Sequence, residues 1–159
     1  MSTERPDIPA GFSLLEPTFN RSYVGRIGPF WVRRENGYPV LGVRADEHHC
    51  NPFKELHGGF IAGFADFAAA YTLIAGPEPT PTVVTLQLST QMIASARLGD
   101  WVEARGRIRR KGRSIAFVDV EFTSAGKLIA ASDAVFRVLS EAGVSERFRR
   151  RGEAPSPPA

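Results

Sequence analysis

The sequence predicts an α+β fold in which an antiparallel sheet curls around one long helix. Three observations carry that prediction. Residues 60–75 are almost all Phe, Ile, Leu, Ala and Gly, a run that suits a helix covered by protein. From residue 83 onward, apolar side chains recur at every second position, the period of a half-buried strand. Between residues 30 and 44, two extended runs flank Glu35-Asn36-Gly37, and Asn-Gly in that setting marks a hairpin.

The helix is the centre of the pattern. Phe60, Phe64, Phe67, Tyr71 and Ile74 supply bulk, while Ala62, Gly63, Ala65, Ala68, Ala69 and Ala70 let other backbones come close. The segment is too short and too broken by glycine for a membrane span. Gly76-Pro77-Glu78-Pro79 ends it. Asp66 is the only charged side chain between Gly59 and Glu78. Desolvation disfavours a lone carboxylate among apolar groups, so Asp66 must meet water, a donor or a substrate. The helix opens with His57-Gly58-Gly59. The first amides of a helix lack internal partners and carry positive partial charge, and glycines leave them bare to a ligand atom. An oxyanion hole can be built from backbone in this way.

The other elements follow in order. Residues 12–15 read as a short helix or strand closed by Pro17, and residues 30–34 and 38–44 as the hairpin strands. The polar stretch 45–56 holds Asp46, Glu47, His48, His49, Cys50 and Asn51. In residues 83–92, Val84, Leu86, Leu88 and Met92 fall on one face and Thr85, Gln87, Ser89 and Gln91 on the other. Leu98-Gly99-Asp100 is a turn. Residues 101–109 alternate again, with Val102, Ala104 and Ile108 against Glu103, Arg105, Arg107 and Arg109. A basic turn, Arg110-Lys111-Gly112-Arg113, leads to strand 114–123, the turn 124–127 and strand 128–139. The expected order is hairpin, long helix, then a four-strand meander.

A chain of 159 residues fits one domain. Residues 1–11 read as a loose arm, 12–140 as the domain, and 141–159 as a basic, proline-rich tail that frays. One cysteine excludes an internal disulfide, and no signal peptide is visible, so a cytoplasmic protein is expected. The net charge of +3 favours an anionic partner. No aromatic interleaving or helix-turn-helix pattern points to nucleic acid. His48, His49, Cys50 and His57 form no zinc-like spacing, and no metal is expected. Cys50 has only sequence neighbours for a base, which gives no case for a nucleophile.

A helix opened by His-Gly-Gly, an Asp inside it and the strands that follow resemble the hotdog-fold acyl-CoA thioesterases of the PaaI type. In that family an Asn shortly precedes the His-Gly-Gly, an acidic residue follows the His by nine positions, a Thr or Ser starts the next strand, and Gly-Asp closes it. Asn51, Asp66, Thr85 and Leu98-Gly99-Asp100 occupy those places, and the resemblance covers residues 30–139. It implies hydrolysis of acyl-CoA to free acid and CoA, with no cofactor beyond the CoA of the substrate. The amides of Gly58 and Gly59 would hold the oxyanion. Asp66 would act as general base or nucleophile, Asn51 would orient water or thioester, Thr85 would bond the water or Asp66, and His57 would fix the turn. Arg109, Arg110, Lys111 and Arg113 would meet the CoA phosphates. Phe53, Phe60 and Phe64 are candidates for the acyl pocket. Gly58 and Asp66 lie about 12 Å apart along one helix, too far to touch one carbonyl. The family answers with a homodimer, sometimes paired into a tetramer, in which one subunit offers the amides and the other the carboxylate. Two further functions share these residues: a hotdog hydratase or dehydratase of acyl thioesters, and a non-catalytic acyl-CoA-binding regulatory domain.

Overall fold

An antiparallel sheet packs around one long helix, as the sequence predicts, with seven strands among the described residues. The computed structural model describes residues 7–15 and 22–150, the last four as backbone only. The elements are β1 (Ser13–Leu14), α1 (Tyr23–Ile27), β2 (Trp31–Glu35), β3 (Tyr38–Arg44), α2 (Gly58–Ala75), β4 (Thr82–Met92), β5 (Trp101–Lys111), β6 (Ile115–Ser124), β7 (Lys127–Leu139) and α3 (Glu141–Arg150). Residues 12–15, open between helix and strand, supply β1, which pairs with β2 through Ser13–Val32 and Leu14–Trp31. The β2–β3 turn has φ of 51° at Asn36 and 81° at Gly37, the left-handed pair that such a tight turn requires.

The sheet order is β1-β2-β3-β5-β6-β7-β4, which corrects the four-strand meander. Of the four strands after the helix, β5, β6 and β7 meander. Strand β4 crosses to the far side of β7 and forms the outer edge, while β5 pairs with β3. One helix must be covered from both sides by one sheet, and closing the second side requires a strand beyond β7.

The core lies between α2 and the inner face of the sheet. Phe64 is fully buried among Phe30, at 4.7 Å between ring centroids, and Phe122, at 5.3 Å. Leu41, Leu73, Ile129 and Phe136 are sealed around them. Each such side chain contributes about 1.5–3 kcal/mol when buried. A Cβ on Gly106 would lie 1.9 Å from Thr72 Oγ1, so β5 reaches α2 only because it carries no side chain there. The helix end is held by Arg34, whose guanidinium donates to the carbonyls of Gly37 and Ala75. Helix α2 is long and apolar enough to cross a membrane, but Phe64, Ala65, Ala69 and Leu73 are sealed in this core.

Helix α2 is not wrapped on every side, contrary to the expectation from its composition. Ala62, Gly63, Asp66 and Ala70 are half-buried and Gly59 is exposed, and together they make a partly uncovered stripe of small residues, crossed at Gly63 by the ring of Tyr23 from α1. At the C-terminal end, the expected fraying tail begins as helix α3, whose first turn is capped by Ser140 Oγ accepting from Gly143 N at 3.2 Å. Residues 1–6 of the arm and 151–159 of the tail lie outside the described residues.

Candidate active site

Asp66 lies on the partly uncovered stripe, half-buried, in the middle of α2. Thr85 Oγ1 donates to its Oδ1 at 2.7 Å. The sequence placed Thr85 on the face opposite Leu88 and Met92. The structure puts all three toward the helix, because a bulge between Thr85 and Gln87 resets the alternation of β4. Leu86, at the bulge, turns outward and is 56% exposed. The bulge thus re-aims a hydroxyl onto a carboxylate.

At the start of α2, His57 is the N-cap. Its Nδ1 accepts from Gly59 N at 2.9 Å. Of the two amides expected to hold an oxyanion, Gly59's is therefore already bonded. Gly58 N–H, in the first turn, has no acceptor among the described residues. The side chain of Met92 roofs it, with Cε 3.3 Å from the position a Gly58 Cβ would take. The alternation of β4 set Met92 on the inner face beside Leu88, as found, but gave no sign that it packs on Gly58.

Asn51 opens the loop that leads to His57. Its Oδ1 accepts from Phe53 N at 2.9 Å and Glu55 N at 3.2 Å. The oxygen is committed to shaping the loop, so only the Nδ2 hydrogens remain to orient a water or a thioester. The loop is tied onward through Leu56 N to Ala96 O and Leu98 N to Lys54 O. Cys50, half-buried, has its thiol pushed up by burial and by the carboxylates of Asp46 and Glu47, the reverse of a nucleophile's environment.

The remaining candidates separate. Phe60 belongs to the core at 7% exposure, with its ring 4.2 Å from His49, and Phe64 is fully buried, so neither lines an open pocket. Phe53 is the opposite case, 83% exposed on the loop. Arg109 is paired with Asp119, which raises its pKa further, and its charge is largely answered there. Lys111 donates to the carbonyl of Glu78, just past the C-terminus of α2. The basic turn therefore stands at the end of α2 opposite Gly58. Arg110 and Arg113 are exposed without a partner among the described residues. Among the described residues no group of three or more His, Cys, Asp or Glu could hold a metal ion.

The arrangement offers an unbonded helix-terminal amide at Gly58 and a carboxylate at Asp66, about 12 Å apart along the helix. The family model of the thioesterase superfamily matches residues 53–131. A Pseudomonas aeruginosa protein described as a candidate esterase is 32% identical over 134 residues, covering 83% of this chain and 98% of that one. Human acyl-coenzyme A thioesterase 13 is 27% identical over 96 residues, 59% of this chain and 68% of that one. A variant of the phenylacetic acid degradation protein PaaI of Thermus thermophilus superposes with a TM-score of 0.64 at 26% identity, covering 74% of this chain and 98% of that one.

Proposed function

We propose, for a chain that belongs to the thioesterase superfamily and is a hotdog thioesterase of the PaaI type, that its substrates are acyl-CoA thioesters and that its sites are shared between two subunits. One observation carries the reading. An unbonded helix-terminal amide at Gly58 and a half-buried carboxylate at Asp66 lie along the partly covered face of α2, beside Met92 and Thr85 of edge strand β4.

Gly58 N–H of one subunit donates to the thioester carbonyl oxygen and stabilises the oxyanion as it forms. Thr85 holds Oδ1 of the partner's Asp66, which leaves Oδ2 to accept a proton from water. The water oxygen bonds to the carbonyl carbon, the carbon–sulfur bond breaks, and the departing CoA thiolate takes the proton from Asp66, which regenerates the carboxylate. Asn51 Nδ2 steers the water or the carbonyl. The reaction consumes only water, and no cofactor takes part.

Edge strand β4 supplies the means of pairing. Its outer backbone groups have no strand partner among the described residues, and Leu86, Met92 and the adjoining Ile93 are 49–56% exposed. Two copies related by a two-fold axis set α2 against α2 in opposite directions, which brings Gly58 of one toward Asp66 of the other. The basic turn at the C-terminal end of α2 then lies on the side of the partner's Gly58, where Arg110 and Arg113 can meet the CoA phosphates.

The test is release of CoA thiol from a panel of acyl-CoAs, wild type against Asp66→Asn. Loss of hydrolysis with retained CoA binding supports the reading. Full hydrolysis by the variant, or hydration of enoyl-CoA without thiol release, would overturn it.

A further inference from the structure

His49 has no place in the chemistry above, yet it is one of the most completely bonded side chains near the site. It is 1% exposed. Asp46 N–H donates to its Nδ1 at 3.0 Å, which fixes the neutral ring with its hydrogen on Nε2. Nε2 then donates to the carbonyl of Ile27, at the end of α1, at 2.9 Å. The ring is 4.2 Å from that of Phe60, in the first turn of α2, and 3.8 Å from that of His48. The backbone carbonyl of His49 accepts from His57 N at 2.9 Å. The residue thus grips the chain immediately before Gly58 through its backbone and shortly after it through Phe60.

We infer that His49 is a positioning residue for thioester hydrolysis, one that aims Gly58 N–H at the carbonyl oxygen. The inference rests on the oxyanion role proposed for Gly58. An oxyanion donor is worth its full effect only when it is held in place before the reaction begins. Gly58 has no side chain to hold it, and its neighbour Gly59 adds none. His57 is itself exposed. Rigidity at this turn must come from beneath, and His49 is the buried residue that joins α1, the polar loop and α2 there. The groups facing its ring are Asp46, His48 and Phe60, with the carbonyls of Ile27 and Gly28. Burial and the neighbouring His48 lower its pKa, which keeps the ring neutral. A proton on Nδ1 would set two donors against each other at Asp46 N and open the grip.

The experiment compares His49→Leu, which fills the space without polar atoms, with His49→Gln, which keeps one donor and one acceptor. Steady-state hydrolysis is measured at a temperature where thermal unfolding shows each variant folded. His49→Leu should lower kcat by at least about tenfold with KM within about twofold, since a misplacement of 1 Å costs up to about a hundredfold. His49→Gln should restore most of the loss. The ¹⁵N–¹H resonance of Gly58 should move in His49→Leu and return in His49→Gln. Should the Leu variant not fold, His49→Asn, too short to reach both Ile27 and Asp46, takes its place. Wild-type kcat in the folded variant, a rise confined to KM, or an unmoved Gly58 resonance would overturn the inference. Gly58→Pro tests the underlying reading separately: unchanged kcat there discards the oxyanion role, whereas the Gly58 resonance in His49→Leu still reports whether His49 fixes that amide.

Discussion

Thr85 Oγ1 lies 2.7 Å from Asp66 Oδ1, joining the edge strand of the sheet to the middle of its central helix. The bond engages one carboxylate oxygen and leaves the other to take a proton from water in the proposed reaction. Replacing Thr85 by Val keeps the shape and removes the donor. We expect kcat for acyl-CoA hydrolysis to fall about tenfold with KM little changed, and Thr85→Ser to retain most activity. Thiol release under saturating substrate measures both.

Gly58→Pro removes the amide hydrogen and adds a ring whose Cβ meets the flexible end of Met92, 3.3 Å away. Proline is well tolerated at the first position of a helix, and His57 has φ −69° and ψ 135°, a conformation that a following proline accepts. The variant should fold with near wild-type thermal stability and lose about 10²–10³ in kcat, the effect of one oxyanion donor. Unfolding and refolding an equal mixture of Gly58→Pro and Asp66→Asn chains gives a sharper result. Half the dimers are then mixed, each with one intact site of two, so about a quarter of wild-type activity returns. A site built within one subunit would return none.

Arg110 and Arg113 are the two cations of the basic turn without partners of their own among the described residues. Replacing both by Ala should raise KM for acyl-CoA severalfold, leave kcat within about twofold, and flatten the dependence of KM on salt. Arg109→Ala should mainly release Asp119 and change KM less, because its guanidinium is already engaged. Steady-state kinetics at two ionic strengths separates these outcomes.

Stability should depend on pH through His49. Its pKa is lowered in the folded protein, so below the ordinary histidine value of about 6.5 the unfolded chain binds a proton that the folded one refuses. Stability is therefore lost as pH falls from about 6.5 toward the folded value, and regained as it rises. His49→Gln should reduce the slope of Tm against pH across that window, measured by thermal unfolding.

Much of this was legible in the residues. The apolar run and the lone Asp66 located the helix and the carboxylate, because both follow from periodicity and desolvation within one segment. Thr85 was legible as a residue near the start of the next strand, but its direction was not. A bulge between Thr85 and Gln87 inverts the facing of everything after it, and nothing in the alternation marks where the extra residue falls. The position of β4 beyond β7 was hidden for a different reason: strand order depends on which edge closes the cover over α2, a property of the whole sheet. Gly59 and Phe60 were misplaced by local competition. His57 captures one amide, and His49 draws Phe60 into the core. His49 itself had a signal, an Asp three positions ahead of it in a polar turn, which reads as a cap rather than as an ion site.

The spacing of Gly58 and Asp66 along α2 carries a further consequence. On the proposed mechanism every chain holds both halves of the reaction and can bring neither to the other, so a lone copy would be inert toward CoA esters however well it folds. Specific activity would then vanish on dilution and return on concentration, and newly made chains would stay silent until they met a twin.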